Sequence, residues 1–416
     1  MGSCPRISMK WYISVFVVGI VASAPVRLMA EPGTVVTLSS VGDRVRSQNP
    51  DLAAARLSIK EAIGRMNQSG RLENPMLETG LEHNTRFSEG LFELGVSQKF
   101  PVTNRLKLEK NLGATSVQAA QTEVREITNQ LVGEARAALV RVLAVRERKE
   151  LLNEQAGLAN ELADFIAEVA KKGEASSLEA GQAKLEASRF LTQSRQLAAT
   201  EQQAIGELKP LLGMSPGETL HVSGSLPSLR VPEGADDVER PALEMARLAV
   251  IAAEQETAIE RTKAYGDIEA GLYAGAERRI DAPDGAEVDG IVGVRFKIPL
   301  PFWDKNEGNI EAAEAKAERR RQEVIALNQG IRLEAEAARA EMLEWAKLAK
   351  EIELTLSPQA AEQTDLAEQA WRNGQGDLLT VLRSREQRLE LAAARLDALQ
   401  NFQLARVRYQ TALGNP

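Results

Sequence analysis

Ile298-Pro299-Leu300-Pro301-Phe302-Trp303-Asp304-Lys305-Asn306-Glu307-Gly308-Asn309-Ile310 marks a change of secondary structure in this chain. Leading into it, residues 292–298 alternate between apolar side chains and Gly293, Arg295 and Lys297, which is typical of a strand with two different faces. After it, residues 311–318 open a helix rich in Ala, Glu and Lys. Because Pro299 and Pro301 lack the N–H that a strand ladder needs, we expect them to end the strand. Asp304 or Asn306 is then expected to cap the helix.

A similar junction occurs earlier, where Phe100-Pro101 follows the alternating residues 91–99 and precedes residues 103–172, a run of helix formers. Pro301 matches Pro101 at an offset of 200, and two later glycines match two earlier ones at an offset of 201 (Gly173 with Gly374, Gly213 with Gly414). Pro241 and Leu243 repeat Pro50 and Leu52 at an offset of 191, so nearly all of the change in offset falls in the turn around Glu277 to Ala286, as expected of a duplicated structural unit. The predicted junction residues are Pro101, Pro299, Pro301, Asp304, Asn306 and Gly308.

Each half is therefore predicted to contain a helix, a β-hairpin, a long helix, a turn and a returning helix, giving a mainly α fold with a small β part. The expected strands are residues 76–83, 91–99, 268–276 and 291–298. Residues 103–172 are expected to form a helix of about 105 Å, and Pro358 to kink or break its counterpart. The predicted organisation is a signal peptide (1–30), a first repeat (31–213), an irregular linker (214–239) and a second repeat (240–416).

The bulk composition excludes several classes of function. The chain has 59 acidic and 51 basic residues and a formal net charge of −8, which disfavours a nucleic-acid partner. Residues 1–30 are interpreted as a secretory signal cleaved after Ala30, and the alternative is an uncleaved anchor helix. Since Cys4 lies in that segment, the mature chain has no thiol ligand. His83 and His221 are interpreted as surface residues, so we expect neither a cofactor nor an enzyme active site.

The predicted strands do not complete a structure within one chain. Their apolar faces suit lipid and their polar faces suit a water-filled lumen. Four strands cannot close a barrel, and an open sheet would leave unpaired edges in lipid, so several chains must contribute. Three chains would supply twelve strands, and neighbouring copies would also cover the long helical hairpins. The alternative is a small soluble sheet packed on a helical bundle.

Over essentially its whole mature length, the chain resembles the TolC-type outer-membrane efflux proteins of Gram-negative bacteria. The resemblance is carried by the repeated unit and by three segments. These segments are the turn Gly173-Glu174-Ala175-Ser176-Ser177-Leu178, the turn Gly374-Gln375-Gly376-Asp377-Leu378-Leu379, and the ending Ala405-Arg406-Val407-Arg408-Tyr409-Gln410-Thr411-Ala412-Leu413-Gly414. Within the family, Ile298 to Ile310 is most similar to the cobalt–zinc–cadmium resistance branch.

The resemblance implies a homotrimer with a 12-stranded β-barrel in the outer membrane and a helical tunnel through the periplasm. The implied partners are a periplasmic adaptor (membrane fusion) protein and an inner-membrane pump of the resistance-nodulation-division class. The chain would be a passive exit duct for divalent heavy-metal cations such as cobalt, zinc, cadmium or nickel. Two alternatives stay open: the same channel exporting drugs or other organic compounds, and a soluble periplasmic coiled-coil scaffold or adaptor.

The resemblance also assigns residues at the periplasmic tips of the helical hairpins. The expected adaptor contacts are Gly173, Glu174, Ser176, Gly374, Gln375 and Asp377. Some family members close the tip with acidic rings, but the matching positions here are Thr380 and Arg383, so that gate is not carried over. Glu174, Glu179 and Asp377 are the acidic residues nearby. They are interpreted either as a cation-attracting ring or as solvated helix caps.

Overall fold

A computed structural model describes residues 34–173, 176–232, 240–281, 283 and 285–415. The predicted signal peptide, including Cys4, lies outside these residues. The first half contains β1 Thr34–Val36, α1 Val41–Gln48, α2 Pro50–Gln68, β2 Met76–His83, β3 Gly90–Phe100, α3 Arg105–Lys171 and α4 Ser177–Leu211. The second half contains β4 Leu220–Val222, α5 Pro241–Thr262, β5 Ile268–Asp281, β6 Gly285–Lys297, α6 Glu307–Glu351, a π-helical turn Ile352–Leu356, α7 Ser357–Arg372 and α8 Leu378–Ala412.

The helices begin and end where the sequence supplies capping residues. The Asn49 side chain caps α2 by accepting a hydrogen bond from the Leu52 N–H at 2.9 Å, and Pro50 occupies the first turn. α3 is unbroken for 67 residues, or about 100 Å, because the stretch contains no proline. α4 ends at Leu211, and Gly213 just beyond it has a φ of 65°, the left-handed conformation that glycine adopts readily.

The long helices pack closely through small side chains. α4 runs back along α3, and α8 runs back along α6. The buried interior between α3 and α4 includes Ala156, Ala159, Ala183 and Ala187. Alanine lets two helix backbones approach, so these hairpins are held together by many small contacts rather than by a thick aromatic core.

Four strands form one antiparallel sheet in the order β2-β3-β5-β6. The register pairs Leu81 with Phe92, Val96 with Leu272, and Leu272 with Val294. Most of the apolar side chains therefore lie beside one another across the strands on one face, and most of the charged side chains lie on the other. β5 and β6 are longer than the sequence predicted, because the strands continue to Asp281 and begin again at Gly285.

The segment predicted as an irregular linker contains a strand. β4 pairs in parallel with β1, and Val36 and Val222 are buried together against α3 and α4. The prediction was wrong for these residues because a three-residue strand is too short to show an alternating pattern. This small parallel sheet ties the start of the described chain to the segment that joins its two halves.

The second long helix is interrupted, as predicted for Pro358. The interruption is the π-helical turn Ile352–Leu356, which directly precedes α7. Pro358 has no N–H to donate and its ring crowds the carbonyl four residues earlier, so regular α-helical bonding is broken there. α3 has no such interruption.

Candidate functional site: the two-faced sheet and the helical tips

One face of the four-stranded sheet is apolar and exposed. Val292 is 86% exposed, and Leu81 on β2 is 75% exposed, although both are large aliphatic side chains. The exposed apolar side chains on this face are Leu77, Leu81, Phe92, Leu94, Val96, Leu272, Val288, Val292, Val294 and Phe296. A continuous apolar surface that crosses four strands is larger than a soluble monomer ordinarily leaves uncovered.

The opposite face carries a network of ion pairs between strands that are distant in sequence. Arg295 on β6 contacts Glu93 on β3 at 2.8 Å and Glu78 on β2 at 3.6 Å. Lys297 contacts Glu269 on β5 at 2.8 Å. The network therefore connects all four strands, and it places charged groups where they remain hydrated.

A single tyrosine covers the middle of this polar face. Tyr273 lies across Gly293, where any larger residue would collide with its ring. The guanidinium carbon of Arg295 is 4.8 Å from the centre of the Tyr273 ring. On the other side, a side chain at Gly95 would crowd the Tyr273 Cβ. The two glycines thus make room for one aromatic side chain between them.

Carboxylates predominate at the end of the polar face nearest the β5–β6 turn. Glu277 is paired in register with Asp289, and Glu287 with Arg279. Arg279 contacts Glu277 at 2.6 Å. Glu82 belongs to the same cross-strand row as Glu277, since both flank Leu91. This end of the face is therefore acidic, whereas the opposite end is balanced by Arg295 and Lys297.

The sheet has two open edges. β2 pairs only with β3 and β6 pairs only with β5 among the strands that the structure describes. Each outer strand thus presents a row of backbone N–H and C=O groups without a strand partner. Open edges beside an exposed apolar face favour association with further strands.

The tips of the two helical hairpins are built alike. Gly173 follows α3 with a φ of 81°, and Gly374 follows α7 with a φ of 69°. Ser176 then caps α4 in a capping box, in which the Glu179 carboxylate accepts from the Ser176 N–H at 2.8 Å. Asp377 caps α8 by accepting from the Thr380 N–H at 3.0 Å.

The fold brings these two tips together. Leu378 is buried against Ile166 and Ala183, and Phe165 meets Trp371 edge-on at 6.1 Å between ring centres. The predicted tip residues Gly173, Ser176, Gly374, Gln375 and Asp377 therefore lie at one end of the molecule, while Glu174 lies outside the described residues. Both described acidic residues, Glu179 and Asp377, take part in helix caps. Their contacts fit the helix-cap interpretation of the sequence.

Several known proteins are similar to this chain in sequence or in structure. No known protein-family model matches the chain. The chain is 23% identical over 384 residues to the cobalt-zinc-cadmium resistance protein CzcC of Cupriavidus metallidurans, which covers 91% of this chain and 87% of that protein. The solved structure of CusC, described in terms of transmembrane channel formation, matches with a TM-score of 0.75 and 18% identity over 91% of this chain and 92% of that one. The outer-membrane channel OprN matches with a TM-score of 0.74 and 16% identity over 91% and 90% of the two chains.

The chain has an outer-membrane channel fold. The predicted resemblance to TolC-type efflux proteins, and among them to the cobalt–zinc–cadmium branch, is confirmed by these relatives. Within the described residues, no helix has both the length and the apolar character needed to cross a membrane. Across the same residues, no group of three or more His, Cys, Asp and Glu side chains is arranged to hold a metal ion.

The strand-to-helix junctions of the channel fold differ in part from prediction. Pro101 directly follows β3, and Pro299 follows β6 and packs on Gly266. As one of the two candidates, Asn306 does occupy the N-cap position of α6, but its side chain makes no capping hydrogen bond there. Asn306 adopts a left-handed φ of 61°, and its side-chain amide donates to the Glu260 carbonyl at 2.9 Å. Asp304 instead accepts from the Asn306 N–H at 2.8 Å.

Sequence reasoning missed the contacts that join the two hairpins into one sheet. Arg105, at the start of α3, contacts Asp267 before β5 at 2.5 Å. The cross-strand pairs of Arg295 and the placement of Tyr273 were also missed. The alternation of Gly293, Arg295 and Lys297 indicated a polar face, but only the register of β3 with β5 decides which charges meet.

Proposed function

We propose that this chain is the outer-membrane channel subunit of a tripartite resistance-nodulation-division efflux system. It acts as a passive exit duct for divalent heavy-metal cations of the cobalt, zinc, cadmium and nickel group. Its place is the outer membrane of a Gram-negative bacterium, with the helices extending into the periplasm. The duct requires no cofactor and performs no bond chemistry on its cargo.

The observation that carries this proposal is the contrast between the two faces of the sheet. An apolar face with Val292 86% exposed is suited to acyl chains, whereas the face bearing Arg295, Glu93 and Glu78 is suited to water. Transmembrane β-barrels alternate apolar-out and polar-in along every strand in this way. A soluble protein would bury the apolar face, whereas here Leu81 and Leu272 stay 75% and 68% exposed.

We further propose that three copies join edge to edge. The open edges at β2 and β6 leave backbone groups that lipid cannot satisfy, so each must pair with a neighbouring copy. Three four-stranded sheets give a 12-stranded barrel, which removes every edge. The helices below would then form a tube of the same symmetry, with the repeats at residues 31–213 and 240–416 joined by residues 214–239.

The helical tips are proposed to contact the periplasmic adaptor, which links the duct to the inner-membrane pump. Ser176 and Asp377 lie at this end of the molecule, about 100 Å of helix away from the sheet. Hydrogen bonds from Thr380 lower the pKa of Asp377, so this capping carboxylate stays charged near neutral pH. A cap and a cation-attracting ring formed by Glu174, Glu179 and Asp377 are therefore compatible roles.

The metal cargo rests on the relationship to the cobalt-zinc-cadmium resistance protein. The acidic end of the polar face, with Glu82, Glu277 and Asp289, would favour cations at the outer mouth. Such charge biases conduction without choosing among divalent metals, so selection belongs to the pump.

The membrane assignment is tested by a matched pair of substitutions on opposite faces of the sheet. Leu272→Arg puts a charge on the apolar face and is expected to abolish assembly in the outer membrane, since arginine near the bilayer midplane costs about 2–4 kcal/mol. Ile291→Arg puts the same charge on the polar face and is expected to assemble. The measurement is the amount of protein in isolated outer membranes. Recovery of the wild type in the soluble periplasm would favour the coiled-coil scaffold instead.

The cargo is tested by growth inhibition of a strain lacking the gene, carrying either the wild type or Leu272→Arg. The panel contains cobalt, zinc, cadmium and nickel salts together with drugs and dyes. Selective sensitivity to the cations, restored only by the wild type, supports metal export. Sensitivity to organic compounds alone would keep the channel and exclude the metal assignment.

A further inference from the structure

A cavity of about 570 Å³ lies where the joining segment crosses the long helices, far from the sheet and the tips. One wall is the stripe of α3 that contains Arg136, Val140 and Leu143. The facing wall is the stripe of α8 that contains Arg406 and Gln410. Residues spaced three or four apart share one face of a helix, so the two stripes point toward the same space.

The third wall consists of the loops that follow the two short parallel strands. Thr37 and Ser39 follow β1, and Ser223 and Ser225 follow β4. These loops are held in place because the Ser223 N–H donates to the Val36 carbonyl at 2.9 Å. The loops thus add hydroxyl groups to a cavity whose helical walls supply guanidinium groups.

The charge in this cavity is unbalanced. Its lining contains two arginines and no carboxylate. In the described part of the chain, neither Arg136 nor Arg406 lies within ion-pairing distance of an acidic group, and the Arg136 Nε is buried without an acceptor. Burial lowers the pKa of Arg136, and the nearby Arg46 and Arg406 lower it further, although Asp43 opposes them. Asp43 is itself paired with Arg46 at 3.0 Å.

A buried guanidinium nitrogen without an acceptor is unfavourable, and a second arginine without an ion pair lies near it, so an anion would stabilise both side chains. Arginine presents several N–H donors in a plane, which matches the oxygens of carboxylate, sulfate and phosphate groups. Hydroxyl groups add further donors to such oxygens. A cation finds no negative ligand here, so the cavity is not a place for the metal cargo.

We propose that this cavity binds a small oxyanion, with Arg136 and Arg406 as the charged ligands and the hydroxyl-bearing loops completing the site. The cavity has room for an anion as large as a tricarboxylate. Because it joins α3, α8 and both short strands, a bound anion would stabilise the region where the two halves meet. This proposal does not depend on the channel function or on its cargo.

The test is isothermal titration calorimetry of the purified full-length protein in detergent. Sodium sulfate, sodium phosphate and sodium citrate are titrated separately against a sodium chloride background of equal ionic strength. Saturable binding with one site per chain is expected for at least one of the three. Arg136→Gln and Arg406→Gln are each expected to weaken that binding about tenfold or more, since each removes charge-assisted hydrogen bonds.

The matched control is Arg408→Gln, on the same helix but in an exposed ion pair with Glu341 at 2.7 Å. It is expected to bind the anion within about twofold of the wild type, as a surface pair contributes little. Helical content by circular dichroism identifies any variant that fails to fold, and the other arginine variant then carries the test. The proposal is overturned if no anion binds saturably to the wild type, or if the folded arginine variants bind as it does.

Discussion

The two returning helices use opposite chemistry at corresponding positions. Glu201 on α4 and Phe402 on α8 are separated by the offset of 201 that relates Gly173 to Gly374, and both are buried. Glu201 accepts hydrogen bonds from Lys149 at 2.8 Å and Arg146 at 3.2 Å. Phe402 instead packs in an apolar cluster with Met342 and Ala405.

The joining segment makes different contacts near these two positions. Where it passes the first hairpin, it presents the Val222 carbonyl, which accepts from Arg146 at 2.5 Å. Where it passes the second, it presents the side chains of Leu229 and Val231, which pack beside Phe402. The crossing segment makes both kinds of contact with each hairpin, since the Val222 side chain is buried against α3 and α4 and the Pro227 carbonyl accepts from Gln403 on α8 at 2.8 Å. The contrast is therefore confined to the immediate surroundings of Glu201 and Phe402. The repeated fold places Glu201 and Phe402 at corresponding positions, but the contacts around each residue differ between polar and apolar.

The largest loss of stability is expected from removing the apolar contacts of Phe402. Phe402→Ala removes a fully buried aromatic ring and leaves a cavity, so it should destabilise the protein by about 3–5 kcal/mol. Thermal unfolding of the purified protein measures the change. Leu379→Ala, at a half-exposed position near the tip of the same helix, serves as the control and should change little. Equal effects from both substitutions would contradict the proposed packing role.

Replacing Glu201 should destabilise the protein somewhat less than replacing Phe402. Glu201→Gln keeps the shape of the side chain but leaves Arg146 and Lys149 without their carboxylate, and those two cations are partly exposed. We expect a loss of roughly 1–3 kcal/mol, because a removed partner leaves charge in a partly desolvated site. Glu207→Gln, on the exposed side of α4, is the matched control. A neutral effect of Glu201→Gln would mean that the ion pairs contribute nothing.

Lowering the pH should reduce the stability that Glu201 contributes but not the stability that Phe402 contributes. Burial opposes the ionisation of Glu201, but hydrogen bonds from Lys149 and Arg146 outweigh it and lower the pKa below the ordinary value of 4.5. The stabilisation is therefore complete above the unfolded-state pKa and is lost as pH falls through the folded-state value. Thermal unfolding measured from pH 7 down to pH 3 should show a smaller acid-induced loss in Glu201→Gln than in the wild type. Phe402→Ala should keep the full wild-type loss.

The smallest changes in stability are expected at the tips of the hairpins, where the two returning helices again differ in the capping residue. Ser176 and Asp377 cap the returning helices at the same offset of 201. Ser176→Ala should destabilise the start of α4 by about 1 kcal/mol without changing its pH response. Asp377→Asn should retain a capping oxygen but remove the charge. Hydrogen exchange of the Glu179 and Thr380 amides measures both, and unchanged exchange in Ser176→Ala would contradict its capping role.

The sequence predicted those features that depend on local pattern. Alternation identified β2, and the proline-free run identified α3 within two residues of its ends. Contacts between distant segments could not be predicted in this way. The offset pairs Glu201 with Phe402, but their surroundings depend on where Val222 and Leu229 cross the helices. The missing side-chain cap at Asn306 could not be predicted either, because its left-handed backbone and its amide contact with Glu260 involve a residue on another helix.

The two helical tips lie at one end of the described molecule, and their contact with an adaptor stays a prediction. Ser176 followed three residues later by Glu179 is a recognisable capping box. The same pattern cannot tell whether Glu179 also faces a pore, because that depends on how copies of the chain are arranged. The contact between Leu378 and Ile166 likewise follows from the packing of two hairpins rather than from either sequence alone.

The central claim is that the sheet closes edge to edge with two further copies, and disulfide cross-linking in isolated outer membranes tests it most directly. Thr79→Cys on β2 is combined in turn with cysteine at Val288, Gly290, Val292 or Val294 on β6, which share its face of the sheet. A disulfide forms only when Cβ atoms approach to about 3.5–4.5 Å. We predict that at least one pair gives a covalent trimer and no larger species. Monomers from every pair, or a ladder extending beyond the trimer, would contradict the closed three-chain barrel.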